Sequence, residues 1–219
     1  MAISLEKGQK ISLEKTNGDS LKEFCVGVNW GAIEKSGGFF GFGKKMVNVD
    51  LDLSCVLIDS KRDIVDYIYS PYYREDLLAR YNLKKGKLTT DDSALKHSGD
   101  DRQGDSNGDD ELDNEIVVVD LSKLNSRVQE IYFFLNNVGQ EDFSQIPYAK
   151  LRMYEGTPSK VKEVFASYNV ASESKFSGKR ALIMGKLVKT DSKWSFAALG
   201  DATEDLFMGE TIQRIRKQY

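Results

Sequence analysis

Residues 99–115, Gly-Asp-Asp-Arg-Gln-Gly-Asp-Ser-Asn-Gly-Asp-Asp-Glu-Leu-Asp-Asn-Glu, hold eight carboxylates and one cation, Arg102. The stretch carries a net charge of −7 in a chain whose formal total is −3. Carboxylates at this density repel one another. Protonation, extension into water or a bound cation relieves the repulsion. Gly99, Gly104 and Gly108 permit left-handed backbone, so the segment can curl back on itself. Curling that charge inward calls for a cation at the centre. Hard oxygen donors, with no His or Cys within the stretch, point to Ca2+ rather than Zn2+. The ordinary alternative is a solvated acidic loop. An EF-hand does not fit: with Gly108 as the sixth residue, Gln103 stands first and Asn114 twelfth, where Asp and Glu are needed. Any calcium site must therefore draw ligands from elsewhere in the fold.

The segment that can supply them is 46–58, Met-Val-Asn-Val-Asp-Leu-Asp-Leu-Ser-Cys-Val-Leu-Ile. Its alternation predicts a strand with Val49, Leu51, Leu53, Cys55 and Leu57 on one face and Asp50 and Asp52 side by side on the other. The candidate ligands are Asp50 and Asp52 from this strand and Asp100, Asp101, Asp105, Asp109, Asp110 and Glu111 from the loop. Carbonyls and water would complete about six to eight oxygens.

Around these two segments the chain reads as short strands separated by turns. Residues 1–15 alternate in the manner of a β-hairpin turning at Gly8-Gln9, and 23–30 form a half-buried strand that places Trp30 in the core. Further strands are expected at 64–69, 116–120, 128–135, 149–155, 163–170, 180–189 and 194–199, the last two joined by the four-residue loop Thr190-Asp-Ser-Lys. Residues 74–81 suit a helix. So do 203–217, where Leu206, Phe207, Ile212 and Ile215 share a side. Lys84-Lys-Gly-Lys reads as a solvated basic turn. The pattern predicts a mainly β chain, a two-sheet β-sandwich with a few short helices including a C-terminal one.

The near-neutral charge gives no case for nucleic-acid binding. Cys25 and Cys55 form no CxxC motif and read as buried thiols of a reducing compartment, with one disulfide as the alternative. A basic-then-apolar leader and any run of about 18 apolar residues are missing from the sequence, so a cytoplasmic location is expected. A single histidine, His97, leaves no His-pair scheme. The stretch 36–43, Ser-Gly-Gly-Phe-Phe-Gly-Phe-Gly, either tucks its rings onto the domain or presents Phe39, Phe40 and Phe42 as an apolar tip able to dock on a membrane surface or a partner.

Several segments resemble the TerD family of tellurium-resistance and stress-response proteins. Ile3-Ser-Leu-Glu-Lys-Gly-Gln-Lys-Ile-Ser-Leu is similar to the family's opening, Val26-Gly-Val-Asn-Trp to its first core strand, and Val49-Asp-Leu-Asp-Leu-Ser to its Asp-x-Asp strand. His97 to Glu111 is close to its signature loop. Gly139-Gln-Glu-Asp-Phe-Ser-Gln-Ile and Ala181-Leu-Ile-Met-Gly-Lys-Leu match later parts. The resemblance implies one domain over 1–219, a β-sandwich that binds calcium, two ions in all, through this loop and strand. It also implies a non-enzymatic scaffold or interaction role, with unknown protein partners that include other members of a resistance complex. Segments at about 34–46 and 71–92 look like insertions, and Asp101 stands where the family commonly has Asn. The competing reading is a hydrolase that uses Mg2+ or Mn2+ on the carboxylates. No Gly-x-x-x-x-Gly-Lys cradle supports an oxyanion module, and thiols buried in strands are poor candidates for direct tellurite chemistry.

Overall fold

The computed structural model describes residues 2–14, 20–36, 44–70, 74–106, 108–171 and 174–219. Within these residues two six-stranded sheets face one another. The first runs, in spatial order, β1 (Ile3–Leu5), β12 (Lys160–Ala171), β11 (Tyr148–Thr157), β3 (Glu23–Trp30), β9 (Glu115–Asp120) and β8 (Leu95–His97). The second runs β2 (Lys10–Ser12), β14 (Lys193–Thr203), β13 (Ala181–Thr190), β10 (Val128–Asn137), β6 (Leu51–Asp59) and β7 (Ile64–Ile68). β4 (Ile33–Ser36) and β5 (Lys44–Val47) make a separate hairpin. The helices are α1 (Glu75–Arg80) and α2 (Met208–Gln218).

The inner faces of the sheets form the main core. Phe24, Val26, Val28 and Trp30 of β3 meet Leu51, Leu53, Cys55 and Leu57 of β6 and Phe133 and Leu135 of β10. Full burial of each such side chain contributes about 1.5–3 kcal/mol. A second apolar layer covers the outer face of the second sheet, where Val56, Ile58, Tyr132 and Phe134 pack under Leu78, Phe207, Met208, Ile212 and Ile215. The molecule is thus sheet on sheet with helices over one side.

Two strands are more buried than their alternation suggests. β6 is buried at all nine positions rather than half-buried, because its second face lies under the helices. The continuous apolar run Cys55-Val56-Leu57-Ile58 carries that signal. β3 is likewise buried from Phe24 to Trp30. The expected strand 46–58 is divided into β5 and β6, with Asp50 in the connection ahead of β6.

The N-terminal hairpin does not form. β1 pairs in parallel with β12 and β2 pairs antiparallel with β14, so the two strands enter different sheets. Alternation marks a strand but does not name its partner. Gly8 makes the crossing at φ 85°, and its N–H donates to Ala198 O at 2.8 Å. The β13–β14 loop has two residues rather than four. Asp191 and Ser192 take φ 49° and 68°, matching the twist that a tight hairpin requires. α2 begins at Met208, and Leu206 lies before it, 64% exposed. Within the basic turn, Lys87 is buried and paired with Asp66 at 2.5 Å and Asp91 at 2.6 Å, whereas Lys84 and Lys85 are exposed. Both cysteines are free and buried, and burial raises both thiols' pKa values, that of Cys55 well above the ordinary range.

Candidate metal centre

β7 stops short: its last rung pairs Ile68 with Cys55. The start of β6 therefore protrudes beyond its edge neighbour, and the acidic loop, which leaves β8, closes over this protruding end. Asp50, Asp52 and Asp100 meet there, each offering a carboxylate oxygen within 4.8 Å of the others. Asp52 is 3% exposed. The Oδ1 atom of Asp50 is buried with no hydrogen-bond partner. Burial raises the Asp50 carboxyl above its ordinary pKa. The Asp100 charge adds to this, Arg102 opposes it, and Asp101 raises it further. Arg102 Nε lies 3.8 Å from Asp50 Oδ2, with the Arg102 side chain 69% exposed, so the pair is loose and screened by water.

Asn136, one residue beyond the strand expected at 128–135, belongs to β10 and lies opposite Asp52 in the ladder. Its Nδ2 donates to Thr211 Oγ1 at 3.1 Å, while its buried Oδ1 has no partner. Buried acceptors without donors are costly unless a cation or water satisfies them. Three converging carboxylates and an orphaned carboxylate oxygen fit a hard divalent ion.

Glu115 and His97 lie beneath the loop with fully buried side chains. Glu115 Oε2 accepts from Leu53 N at 2.6 Å and Oε1 from Asp101 N at 3.1 Å. His97 Nδ1 accepts from Gly99 N at 3.0 Å, which leaves the ring proton on Nε2 to be donated to Leu53 O at 3.0 Å. Nε2 also lies 3.5 Å from Glu115 Oε2. Burial raises the Glu115 carboxyl pKa, against the lowering contacts of His97 and the two N–H groups. Sequence reading missed Glu115 as a site residue. Its signal was parity: it shares the inward side of β9 with Val117 and Val119, where an acid must be engaged.

The remaining loop carboxylates turn elsewhere. Asp101 is beside the trio, and its Oδ1 accepts from Gln103 N at 2.9 Å. Asp105 Oδ2 accepts from Tyr148 OH at 2.8 Å, Asn29 Nδ2 at 3.0 Å and Asp110 N at 3.2 Å. Its backbone is stitched to the end of β3 through Trp30 O and Ala32 N. Asp109 pairs with Lys150. Asp110 Oδ1 accepts from Leu112 N at 2.9 Å, and Glu111 is exposed at φ 65°. Asp113 pairs with Arg152 at 2.7 Å and lies over Gly27. Two cations of β11 thus offset two of the five carboxylates in the far half of the loop. Gly99 and Gly108 take positive φ, as the curled loop requires. Gly104 serves a different need: a Cβ there would stand 2.7 Å from Trp30 Cδ1. Phe39, Phe40 and Phe42 lie outside the described residues.

The geometry is that of a two-sheet β-protein whose acidic loop folds over a carboxylate pair at the start of a core strand. The sequence matches the TerD domain family over residues 1–211. It is 29% identical over 222 residues to stress response protein SCP2 of Bacillus subtilis (strain 168), covering 98% of this chain and 99% of that protein. It is 30% identical over 207 residues to general stress protein 16U of the same organism, covering 91% and 90%. Tellurium resistance protein TerD of Serratia marcescens is 29% identical over 207 residues, again covering 91% and 90%. A crystal structure of a homologue of telluride resistance protein (TerD) from Streptomyces coelicolor A3(2) shares the fold. Its TM-score is 0.54 at 12% identity, over 85% of this chain and 92% of that one. The chain belongs to the TerD family, whose named members are tellurium-resistance and stress-response proteins. Among the described residues no helix is long and apolar enough to cross a membrane.

Proposed function

We propose that this chain is a calcium-binding member of its family, acting without catalysis as a scaffold or interaction module in a stress or resistance response. The observation that carries the reading is the convergence of Asp50, Asp52 and Asp100 within 4.8 Å, with Asp50 Oδ1 buried and unsatisfied. Strand and loop bring three carboxylates together there, with Arg102 as a loose, water-screened counterion to Asp50. A divalent cation converts that repulsion into a bridge and couples ion binding to loop order. Asp101 adds negative potential from one residue away. One ion at this trio is the proposal. A second ion at Asp105, Asp109, Asp110 and Glu111 would have to displace Lys150 from Asp109. A hydrolase would need a base at the trio, and the single histidine is already engaged on both ring nitrogens in the core.

The test is calorimetric titration of chelator-stripped protein with CaCl2, with MgCl2 as competitor. Micromolar binding is expected in the wild type, abolished by Asp50→Asn/Asp52→Asn and resistant to millimolar Mg2+. Absence of calcium heat, or binding that survives the double substitution, would sink the reading. Effective competition by Mg2+ would favour the hydrolase.

A further inference from the structure

Leu53 stands just past the last β6–β7 rung, so on that side its backbone N–H and C=O have no strand partner. Two buried side chains replace the missing strand. Glu115 Oε2 takes the Leu53 N–H, and His97 Nε2 supplies the donor to Leu53 O. The same two side chains hold the loop, Glu115 through the N–H of Asp101 and His97 through the N–H of Gly99. Leu53 follows Asp52, and Gly99 and Asp101 flank Asp100. One carboxylate and one imidazole therefore clamp the strand residue next to Asp52 to both neighbours of Asp100.

We infer that Glu115 and His97 are positioning residues that fix the spacing between the strand and loop carboxylates, and so set divalent-cation affinity without touching the ion. The inference rests on the calcium reading of the trio. A buried carboxylate is a costly way to satisfy two backbone donors. What it provides is two acceptor oxygens rigidly joined, each aimed at a different segment. Glutamine at 115 keeps one acceptor and turns an NH2 group toward the other N–H, so one half of the clamp opens. His97 works in the same sense: its neutral ring donates to the strand and accepts from the loop. The loss of such orienting partners around a metal site typically weakens affinity about 10–100-fold.

Calcium titration of the stripped 219-residue chain tests this, comparing wild type, Glu115→Gln, His97→Gln and Leu187→Ala. Leu187 is buried, aligned through Ile131 with Leu57, five rungs from Asp52, so its truncation lowers stability from a distance. Glu115→Gln and His97→Gln should each bind calcium about 10–100-fold more weakly, while Leu187→Ala should keep wild-type affinity despite a lower melting temperature. Wild-type affinity in both clamp variants would overturn the inference and leave the calcium site standing. Equal weakening in Leu187→Ala would also overturn it, because affinity would then follow global stability. A wild type that does not bind calcium removes the trio reading and this inference together. If Glu115→Gln fails to fold by circular dichroism, His97→Gln decides between the same outcomes.

Discussion

At the scale of single residues, charge count and charge use differ. The loop's eight acids serve at least four purposes: Asp100 joins the strand carboxylates, Asp105 organises Tyr148 and Asn29, Asp109 and Asp113 pair with Lys150 and Arg152, and Glu115 clamps backbone. Gly27 makes the Arg152 pairing possible, because a Cβ at that position would fall 2.1 Å from the Asp113 carboxylate. Gly27→Ala is expected to push Asp113 off Arg152 and to destabilise the fold by about 1–3 kcal/mol. Urea unfolding measures this, and an unchanged midpoint would mean that the loop shifts without cost. Sequence alone marked Gly27 only as one residue of an apolar strand. The carboxylate above it comes from a segment 86 positions later in the chain.

At the scale of elements, turns carry a measurable acid dependence. Asp120 ends β9 and accepts from Lys123 Nζ at 2.6 Å, Ser122 Oγ at 2.5 Å and Ser122 N at 3.0 Å. Lys123 first, and Ser122 with it, lower its carboxyl pKa to about 2. The folded value lies below the unfolded value of about 3.9. The stabilisation is therefore complete above about pH 4 and fades as pH falls through 2. Asp120→Asn should flatten this part of the stability–pH curve between about pH 4 and 2, read from denaturant midpoints. If the variant and wild type run parallel there, the turn does not hold its acid in the manner described. The same scale shows where local reading failed at β1 and β2, which alternate like a hairpin yet enter different sheets. The parallel rung with β12 needs residues more than 150 positions away.

At the scale of the whole molecule, cation binding and folding are expected to be linked. The trio joins the end of β6 in the second sheet to the loop that leaves β8 in the first, so an ion there would tie the two sheets across their open end. A ligand that binds only the native state stabilises it by about 2.7 kcal/mol at 100 times its Kd. Saturating CaCl2 should therefore raise the melting temperature by several degrees. For a chain of this size about 1 kcal/mol corresponds to roughly 2–4 °C. EDTA should reverse the rise. A melting curve indifferent to both would separate the acidic loop from stability and count against a folded-state ion.

Local pattern along the chain sufficed for most of the strands, the mainly β class, the buried cysteines, the C-terminal helix and the two carboxylate segments. These follow from local alternation, turn residues and charge density, all of which are properties of neighbours in the chain. Long-range packing sets which sheet each N-terminal strand joins, buries the second face of β6 under helices, and divides the loop carboxylates among their partners. Glu115 illustrates the difference. Its inward parity was legible in the sequence, but its two acceptors, Leu53 N and Asp101 N, come from separate segments that only the packing of one sheet on the other brings together. Hydrogen-bond partners distant in sequence are chosen by the global fold, because a carboxylate's local preferences are the same whether it meets water, a lysine, a backbone N–H or a cation.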